Sequence, residues 1–163
     1  MHLNSAKKDA GRLLKEIEKG VCNSIYQSIT QQVIASCANY SSRMDKRELI
    51  QATKTILFNK GYFREADFSG VDIRWFPLLK STSGMVPDRS KLLINVSHTE
   101  DSARQLAPIM AHEMVHIKQY IGKGSNDFKC QYSEQFLKCG YQNRGHPLEK
   151  EAYEFEDIVR SNI

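Results

Sequence analysis

Apolar residues recur at helical spacing through the first third of the chain. In residues 6–20, AKKDAGRLLKEIEKG, Leu13, Leu14 and Ile17 form one stripe, and Gly20 is placed to end the helix. Residues 22–40 repeat the pattern with Ile25, Ile29, Val33 and Ile34. Residues 44–62 predict a third helix from an N-cap at Asp45 to Gly61, burying Leu49, Ile50, Ile56, Leu57 and Phe58. The period then changes. GVDIRWFPLL (70–79) and KLLINVSH (91–98) are short, apolar or alternating, and bounded by Gly, Pro, Ser or Asp, so they read as strands. KSTSGMVPDRS (80–90) between them reads as a connecting loop. Helical spacing resumes at about residues 101–121, in a short helix around SEQFLKCG (133–140), and in HPLEKEAYEFEDIVRSN (146–162). Pro108 means that the first of these either starts near it or bends there. Helices, a small sheet and more helices make an α+β chain, expected as one domain over 1–163 with a helical N-terminal part, 1–61.

Composition adds limits. With 40% hydrophobic and 26% charged residues the chain reads as soluble and globular. No apolar run approaches the roughly 18 residues of a membrane span. The N-terminus has no apolar signal core, so the expected location is cytoplasmic, or export without a classical signal peptide. A net charge of +4, with Lys and Arg scattered, argues against nucleic acid as partner. Cys22, Cys37, Cys130 and Cys139 form no CxxC pair and read as buried free thiols of a reducing compartment.

The chemistry concentrates in APIMAHEMVHIKQY (107–120), where His112, Glu113 and His116 make His-Glu-x-x-His. Residues four apart share a helix face, so both imidazoles can meet one cation. Glu113 then stands beside a metal-bound water, where it can take a proton as general base. Random placement yields this pattern in roughly one chain in a hundred. The surrounding Leu106, Ile109, Met110, Val115 and Ile117 make the helix buried, and buried imidazoles with a carboxylate need a partner. A catalytic zinc takes a third protein ligand. Pro147 suits the first position of the last helix, which places Glu149 in its first turn, on one face with Ala152 and Glu156. Ala152 permits a close helix approach. Glu149 is the best third ligand on this geometry and His146 the runner-up.

HEMVHIKQY followed by HPLEKEAYEFE resembles the zincins with a glutamate ligand (gluzincins), nearest to a bacterial zincin-like domain found in toxins and in cargo of contractile injection systems. The likeness runs over about residues 90–157, through Gln119, Tyr120, Gly122 or Gly124, Phe128, Tyr132, Pro147, Leu148, Glu149, Glu151 and Ala152. It implies a zincin-like fold over 62–163, with a small, mainly antiparallel sheet, an active-site helix and a C-terminal ligand helix. It implies Zn2+ held by His112, His116 and Glu149, with Glu113 as general base. It also implies that LLINVS (92–97) is a sheet edge beside the cleft, able to take up an extended peptide. Many gluzincins carry an Asp where this chain has Tyr153, so the support of a ligand histidine departs from the pattern. His146 is the first candidate to stabilise the oxyanion, ahead of Tyr132, Tyr141 and Tyr153. The expected function is a zinc metallopeptidase acting on a protein or peptide substrate. The alternatives are a zinc-stabilised module that binds a partner or loads a secretion machine without catalysis, and a three-histidine site using His146, like that of the SprT-type DNA-linked proteases.

Overall fold

A computed structural model describes residues 3–20, 22–35, 46–98, 100–139 and 145–163. The element order is α1 (Leu3–Glu18), α2 (Asn23–Gln31), α3 (Arg47–Asn59), β1 (Asp72–Phe76), β2 (Gly84–Asp88), β3 (Lys91–Asn95), α4 (Ala103–Lys123), α5 (Ser125–Cys139) and α6 (Pro147–Asn162). The chain is α+β. The predicted stripes become core except at Ile56, which is half-buried and outside it: Ile17, Ile25, Ile29, Ile50 and Leu57 are buried, with Leu13, Leu14, Leu49 and Phe58 packed against them. Gly20 and Gly61 follow their helices at φ 77, the left-handed conformation that glycine adopts without a Cβ penalty. Val33 and Ile34 leave the predicted helix, and Ile34 instead forms an antiparallel bridge with Leu78. The proposed cap Asp45 lies outside the described residues.

The three strands lie in the order β1-β3-β2. β1 runs parallel to β3, with Asp72 opposite Lys91 and Phe76 opposite Asn95. β2 runs antiparallel to β3. The sheet is therefore mixed rather than mainly antiparallel. It also places LLINVS at the centre, so the expected edge is not where the resemblance put it. The edge on the α4 side is β2, formed by part of the stretch that reads as a loop. Gly84 and Pro87 disguise it: proline cannot donate to a ladder, and the pairing shifts between Met85 and Asp88, where Pro87 sits. Asp88 turns the chain into β3 by accepting hydrogen bonds from the Ser90 N–H and hydroxyl at 2.8 and 2.7 Å.

β3 is buried on both faces. Leu92 and Ile94 join the main core under α4, while Leu93 packs with Met85, Leu78 and Val33 on the other side. Asn95, fully buried, organises the β1–β2 connection. Its Oδ1 accepts from the Leu78 and Ser97 N–H groups and its Nδ2 donates to the Leu79 and Thr82 carbonyls.

α4 starts at Ala103, capped by the Ser102 side chain, and Pro108 lies inside it. α5 is longer than the predicted short helix. Cys22 and Cys130 form a disulfide that joins the start of α2 to α5. This overturns the free-thiol reading for that pair. The two cysteines are 108 residues apart, and only the packing of α2 on α5 brings them together. Cys139 is exposed at the end of α5, and Cys37 is outside the described residues.

Candidate metal centre

α4 and α6 pack along each other through buried residues that include Leu148, Ala152 and Val159 of α6. Ala152 is fully buried, and its small side chain lets the helices close on the site. Facing turns then bring His112, His116 and Glu149 together, all buried, with one ligand atom from each within 4.8 Å of the others. Glu149 bridges the two rings: Oε1 is 2.5 Å from His116 Nε2 and Oε2 is 3.3 Å from His112 Nε2. Glu113 lies beside this trio, its carboxylate 4.0 Å from His112 Nε2.

The outer nitrogens are held too. Gln119 Nε2 donates to the Leu148 carbonyl at 3.0 Å, which turns its Oε1 toward His116. His116 Nδ1–H therefore donates to that oxygen at 2.8 Å, which leaves Nε2, facing Glu149, as the nitrogen that a metal ion would take. At His112 the Glu156 carboxylate stands 3.0 Å from Nδ1, at ion-pair distance without a hydrogen bond's alignment, and also meets Arg160 at 3.0 Å. Tyr153 lies against His112. Its ring stands edge-on to His112 with centroids 4.5 Å apart, while Glu156, three residues further on, supplies the carboxylate.

These contacts set the charges. Burial alone would lower the His112 pKa, but the Glu149 and Glu156 carboxylates beside its two nitrogens and the nearby Glu113 charge raise it to about 10. His116 is raised despite burial by Glu149 and Glu113. Burial opposes ionisation of Glu149, yet His116 and His112 hold its pKa well below the carboxylate range. Glu113 moves the other way: burial raises it, against the pull of both histidines. Two imidazoles and an ionised carboxylate, with their outer nitrogens already engaged, are a donor set that fits a divalent metal ion. The buried group could bind such an ion.

His146 is not among the three. It is the N-cap of α6, where Nδ1 accepts from the Glu149 N–H at 3.4 Å, and it is fully buried. Its ring lies against Tyr132, centroids 4.5 Å apart, and does not line the cavity at the site. Tyr141 lies outside the described residues. The cavity is about 10 Å³ and is lined by Tyr26, Thr30, Gly84, Met85, Val86, Glu113, His116, Tyr132 and Glu149. Sequence reasoning missed Tyr26, Thr30 and Gly84 here. A β-carbon on Gly84 would stand 2.6 Å from Glu113 Cγ and 2.8 Å from the Leu93 carbonyl oxygen, so only glycine lets the strand lie this close to the carboxylate. Gln119 was visible only as a landmark of the resemblance.

Comparison with known protein families, with curated proteins and with solved structures finds no match.

Proposed function

We propose that the protein is a zinc-dependent metallopeptidase that hydrolyses peptide bonds of a protein substrate. The observation that carries this is the buried trio His112, His116 and Glu149, with Glu113 beside it and outside the ligand set. Zinc is favoured by the two nitrogens and one oxygen, and when bound it supplies Lewis acidity and lowers the pKa of a water. Glu113 accepts the proton of the attacking water and passes it to the leaving amine; its raised pKa suits a base that must also give the proton back. Gln119 and Glu156 keep the imidazoles oriented. Tyr132, whose hydroxyl lies 3.4 Å from Glu149 Oε1 and whose ring lines the cavity, is better placed than His146 to donate to a developing oxyanion. β2, as the edge strand beside Glu113, is the surface along which an extended peptide would lie. The Cys22–Cys130 disulfide favours export over a cytoplasmic life, because such bonds persist in oxidising spaces.

A second reading keeps the metal and drops the chemistry, as a zinc-stabilised partner-binding or secretion-loading module. The small size of the cavity favours it. Metal analysis by mass spectrometry together with a labelled unstructured protein as substrate separates the two. The peptidase gives about one zinc per chain and hydrolysis that Glu113→Gln abolishes with zinc retained. Hydrolysis surviving in that variant would end the proposed mechanism. Zinc without cleavage would favour the module.

A further inference from the structure

The roof of the metal site belongs to the N-terminal part of the chain. Tyr26 and Thr30 of α2 are buried and line the cavity, whose volume of about 10 Å³ is roughly that of one water. The same two residues also line an open groove of about 300 Å³ on the outside, with Asn23, Gln27, Pro87 and Lys129. They are thus the partition between the site and solvent. Tyr26 stands perpendicular to Tyr132, centroids 5.6 Å apart, and its hydroxyl donates to the Val86 carbonyl on β2. That carbonyl, which the Tyr120 hydroxyl also reaches at 3.5 Å, lies on the edge strand, so Tyr26 occupies the space and shares the acceptor an added peptide strand would use.

α2 is fastened at its two ends by different means. The disulfide ties its N-terminal side to α5. Beyond its C-terminal side the Ile34–Leu78 bridge, with the Leu79 N–H donating to the Val33 carbonyl at 2.8 Å, ties it to the β1–β2 connection. Its outward face is exposed and polar, at Asn23, Ser24, Gln27, Ser28 and Gln31, while its inward face buries Ile25, Tyr26 and Ile29, with Tyr26 edge-on to Phe128 and Tyr132, so undocking the helix exposes these rings and needs the latch to be released first.

We propose that α2 is a plug that closes the metal site, latched by the Cys22–Cys130 disulfide and released when that bond is reduced. This rests on the metallopeptidase reading for its purpose, not for its geometry. The reductant is a dithiol. Its two thiols become a disulfide, two electrons cleave the Cys22–Cys130 bond, and its two protons end on the two cysteine sulfurs. α2 then swings out on the Ile34–Leu78 bridge and gives up its hold on the Val86 carbonyl to an incoming chain. A protein that crosses an oxidising space closed would open where the surroundings are reducing.

The test compares zinc-loaded wild type, oxidised and reduced with a phosphine, with Cys22→Ser/Cys130→Ser and Tyr26→Ala. Three quantities are followed: hydrogen exchange of residues 23–31, the rate at which a chelator captures zinc, and hydrolysis of a labelled unstructured protein. Reduction and either variant are expected to speed exchange of α2 and zinc capture by about tenfold or more, with α4 amides unchanged. Reduced wild type serves where a variant fails to fold. Equal exchange and equal capture in the oxidised and reduced protein, with the bond shown to be cleaved, overturn the plug. Faster capture without hydrolysis in any form leaves the plug standing and removes the peptidase.

Discussion

The two walls of the candidate metal cavity are built differently. On one side α4 is buried on all faces from Leu106 to Ile117, and each ligand histidine has a second contact behind it. On the other side α2 is nine residues long, buries Ile25, Tyr26, Ile29 and Thr30, and shows water a row of Asn, Ser and Gln. The first wall fixes its donor atoms, because packing around both rings and a polar contact behind each of them leave little room to turn. The second wall covers. Changes in α4 and α6 should therefore alter how tightly metal is held, and changes in α2 how fast it is reached.

The sharpest way to break that division is to remove Glu149, which touches both histidines. Glu149→Ala should lose stoichiometric metal in direct analysis; full metal in that variant would make the three-histidine alternative with His146 the better description. Next in size is Glu156→Gln, which keeps the shape and removes the charge behind His112. Metal affinity should fall about 10–100-fold, read by chelator competition, with no change in exchange of α2. An unchanged affinity would mean that the His112–Glu156 contact positions nothing.

Proton linkage gives the third effect. In the metal-free protein His112 is raised to about 10, so its pairing stabilises the fold below the ordinary imidazole pKa and fades as pH climbs through 10. Glu149 is lowered, so its contribution is present above the ordinary carboxylate pKa and fades only in acid. Metal must displace the imidazole protons. Apparent affinity should therefore rise from neutral pH upward, by up to about tenfold per unit for each proton released. Calorimetry in buffers of different ionisation enthalpy counts those protons, and a count of zero would contradict the charge state described here. Smallest on the metal itself is Gly84→Ala. The new methyl group meets Glu113 and the β3 backbone, and overpacking of this kind costs about 1–3 kcal/mol. A lower melting temperature with near-normal metal content is expected; unchanged stability would mean that strand and helix can separate freely there.

The ligand wall was legible because it is local. His112, Glu113 and His116 sit within five residues, and Pro147 announces the helix that delivers Glu149 in its first turn. The covering wall was not. Nothing near Tyr26 in the sequence says that its hydroxyl will meet Val86, 60 residues away. The free-thiol reading failed for the same reason, since the pairing of Cys22 with Cys130 depends on how α2 lies on α5. Local signals misled at β2, where Gly84 and Pro87 look like loop residues because each serves a tertiary need, one for close approach and the other at an irregular edge. Gln119 and Glu156 fall between these cases: helical spacing shows which face they take, but not which atom they meet.

The placement of β3 has a consequence for the order of assembly. β1 and β2 do not pair with each other; both pair with β3, and the Asn95 amide ties down the connection between them. On a ribosome, the segments for β1 and β2 emerge first and have no partner until residue 95 follows. The sheet can then form at once around its last-made strand, but the metal centre must wait another 54 positions for Glu149. For the last 33 of those positions, once His116 has been added, a growing chain carries two histidines of the site without the carboxylate that completes it.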